Sequence, residues 1–157
     1  MRRGFTLVEV IIAIIISIIA IFGIETLIVE SFKDWRASKN ITELERDLDL
    51  ASYRIKGVLE EADADTPLDS GARIQASYGN NVWQKEFYCS GNSLIYKNDT
   101  TPVTTEAIVN TLQSITFTNG YDGHSVRVDL TVGNGTTRTK DWLDSSFLVY
   151  LRNKGGG

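Results

Sequence analysis

Phe5-Thr6-Leu7-Val8-Glu9-Val10-Ile11-Ile12-Ala13-Ile14-Ile15-Ile16-Ser17-Ile18-Ile19-Ala20-Ile21-Phe22-Gly23-Ile24 decides how this chain is built. As a helix, these 20 residues span about 30 Å, the thickness of a bilayer core. So many isoleucines would favour a strand in water. In lipid the backbone must satisfy its own hydrogen bonds, and the helix wins. Met1-Arg2-Arg3 precedes the run, and such arginines favour a cytoplasmic position for that end. A secretory signal has a shorter apolar core followed by a small-x-small cleavage site, and Ile21-Phe22-Gly23-Ile24 does not supply one. A plain single-pass anchor accounts for the length but leaves Glu9 unexplained.

Glu9 is an acid inside an apolar run, where a carboxylate costs about 3 kcal/mol at the hydrocarbon centre. Two readings stand. Glu9 lies near the headgroups and is solvated, or it pairs with a positive group. A cut before Phe5 would create an amine at the helix start, and a neighbouring chain offset along a filament would bring that amine to Glu9.

The order basic leader, Gly4-Phe5-Thr6-Leu7-Val8-Glu9, apolar helix closely resembles the type IV prepilin processing motif. The resemblance implies that a prepilin peptidase cuts after Gly4 and methylates the new N-terminal Phe5, and that Glu9 aids subunit docking. It further implies a precursor in the bacterial inner membrane, N-terminus in the cytoplasm and C-terminal domain outside it. The mature chain would then join a type IV pilus or a type II secretion pseudopilus. Its partners would be other pilin or pseudopilin subunits, the peptidase/methyltransferase, the inner-membrane assembly platform and membrane lipid. Many major pilins carry a helix-kinking proline where this chain has Thr26, and no proline precedes Pro67. That departure points to a minor pilin or pseudopilin, acting near the tip to start assembly. The stretches Asn92–Tyr96, Leu112–Phe117 and Val149–Asn153 loosely resemble the PulJ/PilW group of such subunits. The rival reading is a membrane-tethered binding module, an adhesin or a DNA-uptake competence pilin.

Beyond the apolar run, Ile41, Leu44, Leu48, Ala51, Ile55, Val58 and Ala62 recur at spacings of 3, 4, 3, 4, 3 and 4. This is one stripe of an amphipathic helix, read as the face packed on a sheet rather than a coiled-coil seam. Glu43, Asp47, Asp49, Arg54 and Glu61 form the opposite face. Asn40 with Glu43 resembles a capping box, but no stop signal precedes it, so the helix is expected to continue to 62–65, before Pro67. Four segments follow: leader 1–4, membrane helix 5–29, amphipathic continuation 30–65 and β-sheet domain 66–157.

Within the last segment, Arg73–Tyr78, Val82–Cys89, Ser93–Lys97 and Val109–Thr118 read as strands. Val126, Val128, Leu130 and Val132 alternate with polar residues, which predicts a strand buried on one face. Asn134-Gly135 predicts a hairpin returning along Thr136–Trp142, with Phe147–Arg152 closing the sheet. Thr100-Thr101-Pro102 opens a loop, and Gly155–Gly157 make a mobile tail. The expected class is α+β, a long N-terminal helix on a C-terminal antiparallel sheet.

No catalytic constellation is visible, and an enzyme is not expected. His124, the only histidine, falls in a surface turn, and the only cysteine, Cys89, reads as a small buried strand residue. No cofactor motif and no metal site emerge. Asp63, Asp65 and Asp69 do not have the spacing of a compact calcium loop and read as a solvated turn. Three Asn-x-Thr sequons, at Asn40, Asn98 and Asn134, read as compositional noise. Trp83, Phe87, Tyr88 and Tyr96 are candidates for a binding surface, with core the favoured reading of alternate strand positions. The net charge of −4 argues against general nucleic-acid binding, though it leaves a local basic patch open.

Overall fold

The computed structural model describes residues 6–79, 83–121, 124–133 and 142–151. The chain divides into two compact units, Met1–Lys39 and Asn40–Gly157. Helix α1 covers Leu7–Glu60 and has no break at Asn40. Eight strands follow: β1 Ala64–Leu68, β2 Arg73–Ser77, β3 Trp83–Ser90, β4 Ser93–Asn98, β5 Thr104–Val109, β6 Leu112–Asn119, β7 Ser125–Gly133 and β8 Trp142–Tyr150. A 3-10 turn, Asp69–Gly71, joins β1 to β2.

In the first unit α1 is apolar on every side from Val10 to Ile24, and none of that stretch is buried. It is long and apolar enough to cross a membrane. Its few hydroxyls do not disturb the backbone. Ser17 Oγ donates to the Ala13 carbonyl at 2.8 Å and Thr26 Oγ1 to that of Phe22 at 3.0 Å. Both hydroxyls are thus satisfied within the helix, as a lipid environment requires.

In the second unit the expected stripe becomes the contact face. Leu44, Ala51, Ile55, Val58 and Ala62 are buried, while Ile41, at the start of the stripe, is exposed. Leu59 is also buried, which widens the stripe by one residue. Asp47, assigned to the polar face, accepts a hydrogen bond from Thr111 Oγ1 at 2.7 Å, so this edge of the helix is tied to the β5–β6 loop. The helix ends at Glu60, slightly before the expected 62–65. Its last turn is held from the sheet. The Tyr78 hydroxyl donates to the Val58 carbonyl, and the Gly79 amide donates to Asp63. Burial, reinforced by the charges of Glu61 and Asp63 and by Tyr96, pushes the Tyr78 phenol well above its ordinary value, so it remains a donor at neutral pH.

The strands form two antiparallel sheets rather than one: β1-β2-β3-β4-β5 and β6-β7-β8. Strand β6 lies against β1, β2, β3 and the 3-10 turn, which brings the sheets together over one core. The core packs Ile55, Leu59, Ile74, Phe87, Leu94, Phe117, Val128 and Leu130. Gly71 makes the junction possible. Its φ is +92°, and a Cβ there would lie 2.7 Å from the Phe117 carbonyl oxygen, so only glycine lets β6 approach this closely.

Four strand expectations need correction. β1 was missed because Pro67 marks a break, yet β1 is the edge of its sheet, where a proline lacking its amide is tolerated. β5 was read as loop because Thr104-Thr105-Glu106-Ala107 has no apolar alternation. It too is an edge strand, and most of it is exposed. Of the expected strand 136–142, residues 136–141 lie outside the described residues; the strand expected at 147–152 begins earlier, at Trp142, and runs to Tyr150, paired with β7 along its length. The polar stretch Asp144-Ser145-Ser146 lies within this strand, and Ser146 faces Asp129 across the ladder. The Ser146 hydrogen bond, helped by Arg127, holds the Asp129 carboxyl below its ordinary value. Finally, Cys89 is in a strand as expected but exposed, because β3 reaches the tight turn at Gly91, whose carbonyl accepts from Cys89 Sγ at 3.1 Å. Asn80, Asn81, Val82, Asn134-Gly135, Thr136–Asp141 and the tail from Arg152 lie outside the described residues.

Candidate functional site

The candidate site is the head of α1. Gly4 and Phe5 lie outside the described residues, which begin at Thr6. From there the geometry is that of a reciprocal helix cap. The Thr6 amide donates to Glu9 Oε2 at 3.2 Å, and the Glu9 amide donates to Thr6 Oγ1 at 3.3 Å. Thr6 Oγ1 also approaches Glu9 Oε2 at 3.4 Å, and the first helical bond runs from the Val10 amide to the Thr6 carbonyl at 3.3 Å. Threonine at the cap and glutamate three residues on form a capping box, which satisfies two amides that a helix start leaves open.

This cap explains how the chain carries a carboxylate beside so much apolar surface. Glu9 lies in the first turn, where the helix dipole favours negative charge. Its side chain is already aimed at the amide end of the helix, the end where a cut before Phe5 would generate a positive amine. Glu9 was legible as the odd residue of the run, whereas Thr6 was missed as its partner. The Thr-x-x-Glu pattern before an apolar run was the available signal.

The other candidates do not converge on a second site. Asp63, Asp65 and Asp69 are engaged separately: Asp63 takes the Gly79 amide, Asp65 is buried in β1, and Asp69 lies 3.8 Å from Arg73. Among the described residues no cluster of three or more acids, histidines or cysteines is placed to hold a metal ion. His124 is exposed beside the start of β7. Phe87 and Tyr96 belong to the core and stack with ring centroids 5.1 Å apart, while Trp83 is 41% exposed and Tyr88 half-buried, so no aromatic platform forms.

Comparison with known proteins bears on the same segment. Residues 1–24 match the family described as Prokaryotic N-terminal methylation motif. No curated protein matches the chain, and no solved structure does. The match covers the N-terminal segment, and the remainder contributes the architecture, an apolar helix continued onto antiparallel sheets in the pilin-like α+β manner. The motif implies processing by a prepilin peptidase and assembly with pilins, from a membrane-anchored precursor into a filament. Joined to this fold, the prepilin-type methylation motif indicates a structural, non-enzymatic subunit of the type IV pilin and pseudopilin family.

Proposed function

We propose that this chain is a minor pilin or pseudopilin of the PulJ/PilW kind, cut between Gly4 and Phe5, methylated on Phe5, and docked into a filament through Glu9. The observation that carries the reading is the capping box of Thr6 and Glu9 at the head of a bilayer-length apolar helix, inside the segment that matches the methylation motif. Gly4 and Phe5 are then substrate residues of the peptidase, and Glu9 receives the neighbouring subunit's amine. Thr26 in place of a kinking proline leaves α1 unbroken, which supports a minor rather than a major subunit. Residues 5–29 would form the filament core, 30–65 the stalk and 66–157 the outer domain. Before assembly, Arg2 and Arg3 keep the N-terminus cytoplasmic, and the domain waits outside the cytoplasm near the assembly platform. The chain enters at or near the filament tip.

Cys89 provides a direct test, since it is the sole cysteine and is exposed. In spheroplasts of the native host, a membrane-impermeant maleimide is expected to label it, and the sheared filament fraction is expected to contain the chain. Labelling only after lysis, with no chain in that fraction, would end this reading.

A further inference from the structure

The two sheets have four edges, and three of them are protected. Strand β1 is five residues long and contains Pro67. Strand β5 has a register irregularity opposite Leu94 and Ile95, and its Glu106 is tied to Arg54 at 3.4 Å. Strand β6 lies against the other sheet. Strand β8 differs. It runs nine residues with no proline, no lysine or arginine and no register shift, and among the described residues it pairs with β7 alone. Such an edge is a template for another strand. The direction of its free groups is fixed by the ladder. The Leu151 amide donates to the His124 carbonyl on the β7 side at 2.9 Å. Backbone groups alternate sides along a strand, so the amides and carbonyls of Trp142, Asp144, Ser146, Leu148 and Tyr150 point away from β7. The side chains are also incompletely covered. Leu143, Ser145 and Phe147 are only half-buried, although their partners Val132, Leu130 and Val128 are fully buried. On the outer face Trp142, Leu148 and Tyr150 are each more than half exposed.

We propose that the free edge of β8 takes up an extended segment of a different protein, which adds a fourth strand to the sheet β6-β7-β8. Charge complementarity selects the occupant. Asp144 is the only charged residue of β8, and among the described residues it forms no ion pair. The added strand therefore carries a lysine or arginine on its outward face, beside Asp144. On its other face it carries apolar side chains at alternate positions, which cover Leu143 and Phe147 and complete the core at this edge. A second copy of this chain does not meet that description. Its edge strands β1, β5 and β8 contain no lysine or arginine, Pro67 lacks the amide that a ladder through β1 needs, and Glu106 of β5 would add a second acid. Strand addition goes beyond the filament reading and uses only the fold of the second unit. It gives the outer domain a way to hold a partner by main-chain hydrogen bonds.

The full-length chain in its native host tests this, with photoreactive benzoylphenylalanine in place of Leu148. Irradiation of intact cells is expected to give one protein adduct, and sequencing of the cross-linked peptide is expected to show the alternating apolar pattern with a lysine or arginine. Two substitutions at Ser146 isolate the backbone. S146A removes the hydroxyl bonded to Asp129 but keeps the outward amide, and should leave the adduct unchanged. S146P removes that amide without touching a β7 ladder bond, and should lower the yield about tenfold or more. D144K, on the exposed face, should lower it similarly by setting like charges side by side. Circular dichroism melting confirms that S146P is folded, and D144K decides the question if it is not. Equal yields in a folded S146P, or in D144K, would overturn the proposal. So would an adduct with a second copy of this chain, with a segment lacking the pattern, or with no protein at all.

Discussion

A Glu9→Ala chain is expected to be cut and methylated like the wild type and yet to be depleted from filaments at least tenfold. Processing should survive because Gly4 and Phe5 are untouched, and because Thr6 still accepts the Glu9 amide as a helix cap. Assembly should fail because the neighbour's new amine then enters the apolar helix bundle without a counter-charge. Stranding one member of a desolvated ion pair costs about 3–5 kcal/mol, which is a factor of about a hundred to a few thousand in an association constant. Glu9→Gln separates the two roles of this side chain. Glutamine can still complete the capping box with Thr6, but it carries no charge. If docking depends on charge, the Gln chain should be processed, form a normal helix start and remain absent from filaments. Quantitative blotting of sheared filaments against total membranes reads both variants. Normal incorporation of either would show that Glu9 is only a cap.

The second large effect concerns the domain. Phe87→Ala is expected to lower its stability by about 3–5 kcal/mol. Phe87 is 1% exposed, lies opposite Ile74 on β2 and Tyr96 on β4, and stacks on the Tyr96 ring. Truncation would leave a cavity between two strands that cannot collapse without breaking their ladders. Domains of this size have only about 5–15 kcal/mol in total, so the melting temperature should fall by about 15–30 °C. Trp83→Ala, on the same strand but 41% exposed, should shift it by only a few degrees. Thermal denaturation of the full chain in detergent, followed by circular dichroism in the sheet region, checks both. Equal shifts for the two variants would contradict the assignment of the core.

The head of the molecule was legible because its physics is local. Twenty residues of near-uniform apolarity admit one structure in lipid, and a lone glutamate within them must have a reason. The contact face of α1 was equally readable, since Leu44, Ala51, Ile55, Val58 and Ala62 recur at helical spacing and are all buried. Strand β7 showed itself by alternation, and Val126, Val128, Leu130 and Val132 all face the core. What escaped depends on neighbours distant in sequence. β1 and β5 are sheet edges with little to bury, so neither carries an apolar pattern. β8 is held across its polar centre by Ser146 facing Asp129, a pairing that no local pattern announces. Cys89 lies at the rim of β3 instead of in its interior, which only the position of the Gly91 turn decides. Thr6 could have been found, because its pattern with Glu9 is local; it was overshadowed by the more conspicuous acid.

The most direct test of the central claim is the mass of the intact chain purified from its native host, with sequencing of its N-terminal peptide. A chain that begins at N-methylated Phe5 is the predicted result. A chain that still begins at Met1, in cells whose prepilin peptidase is active, would contradict the account and leave α1 a plain membrane anchor.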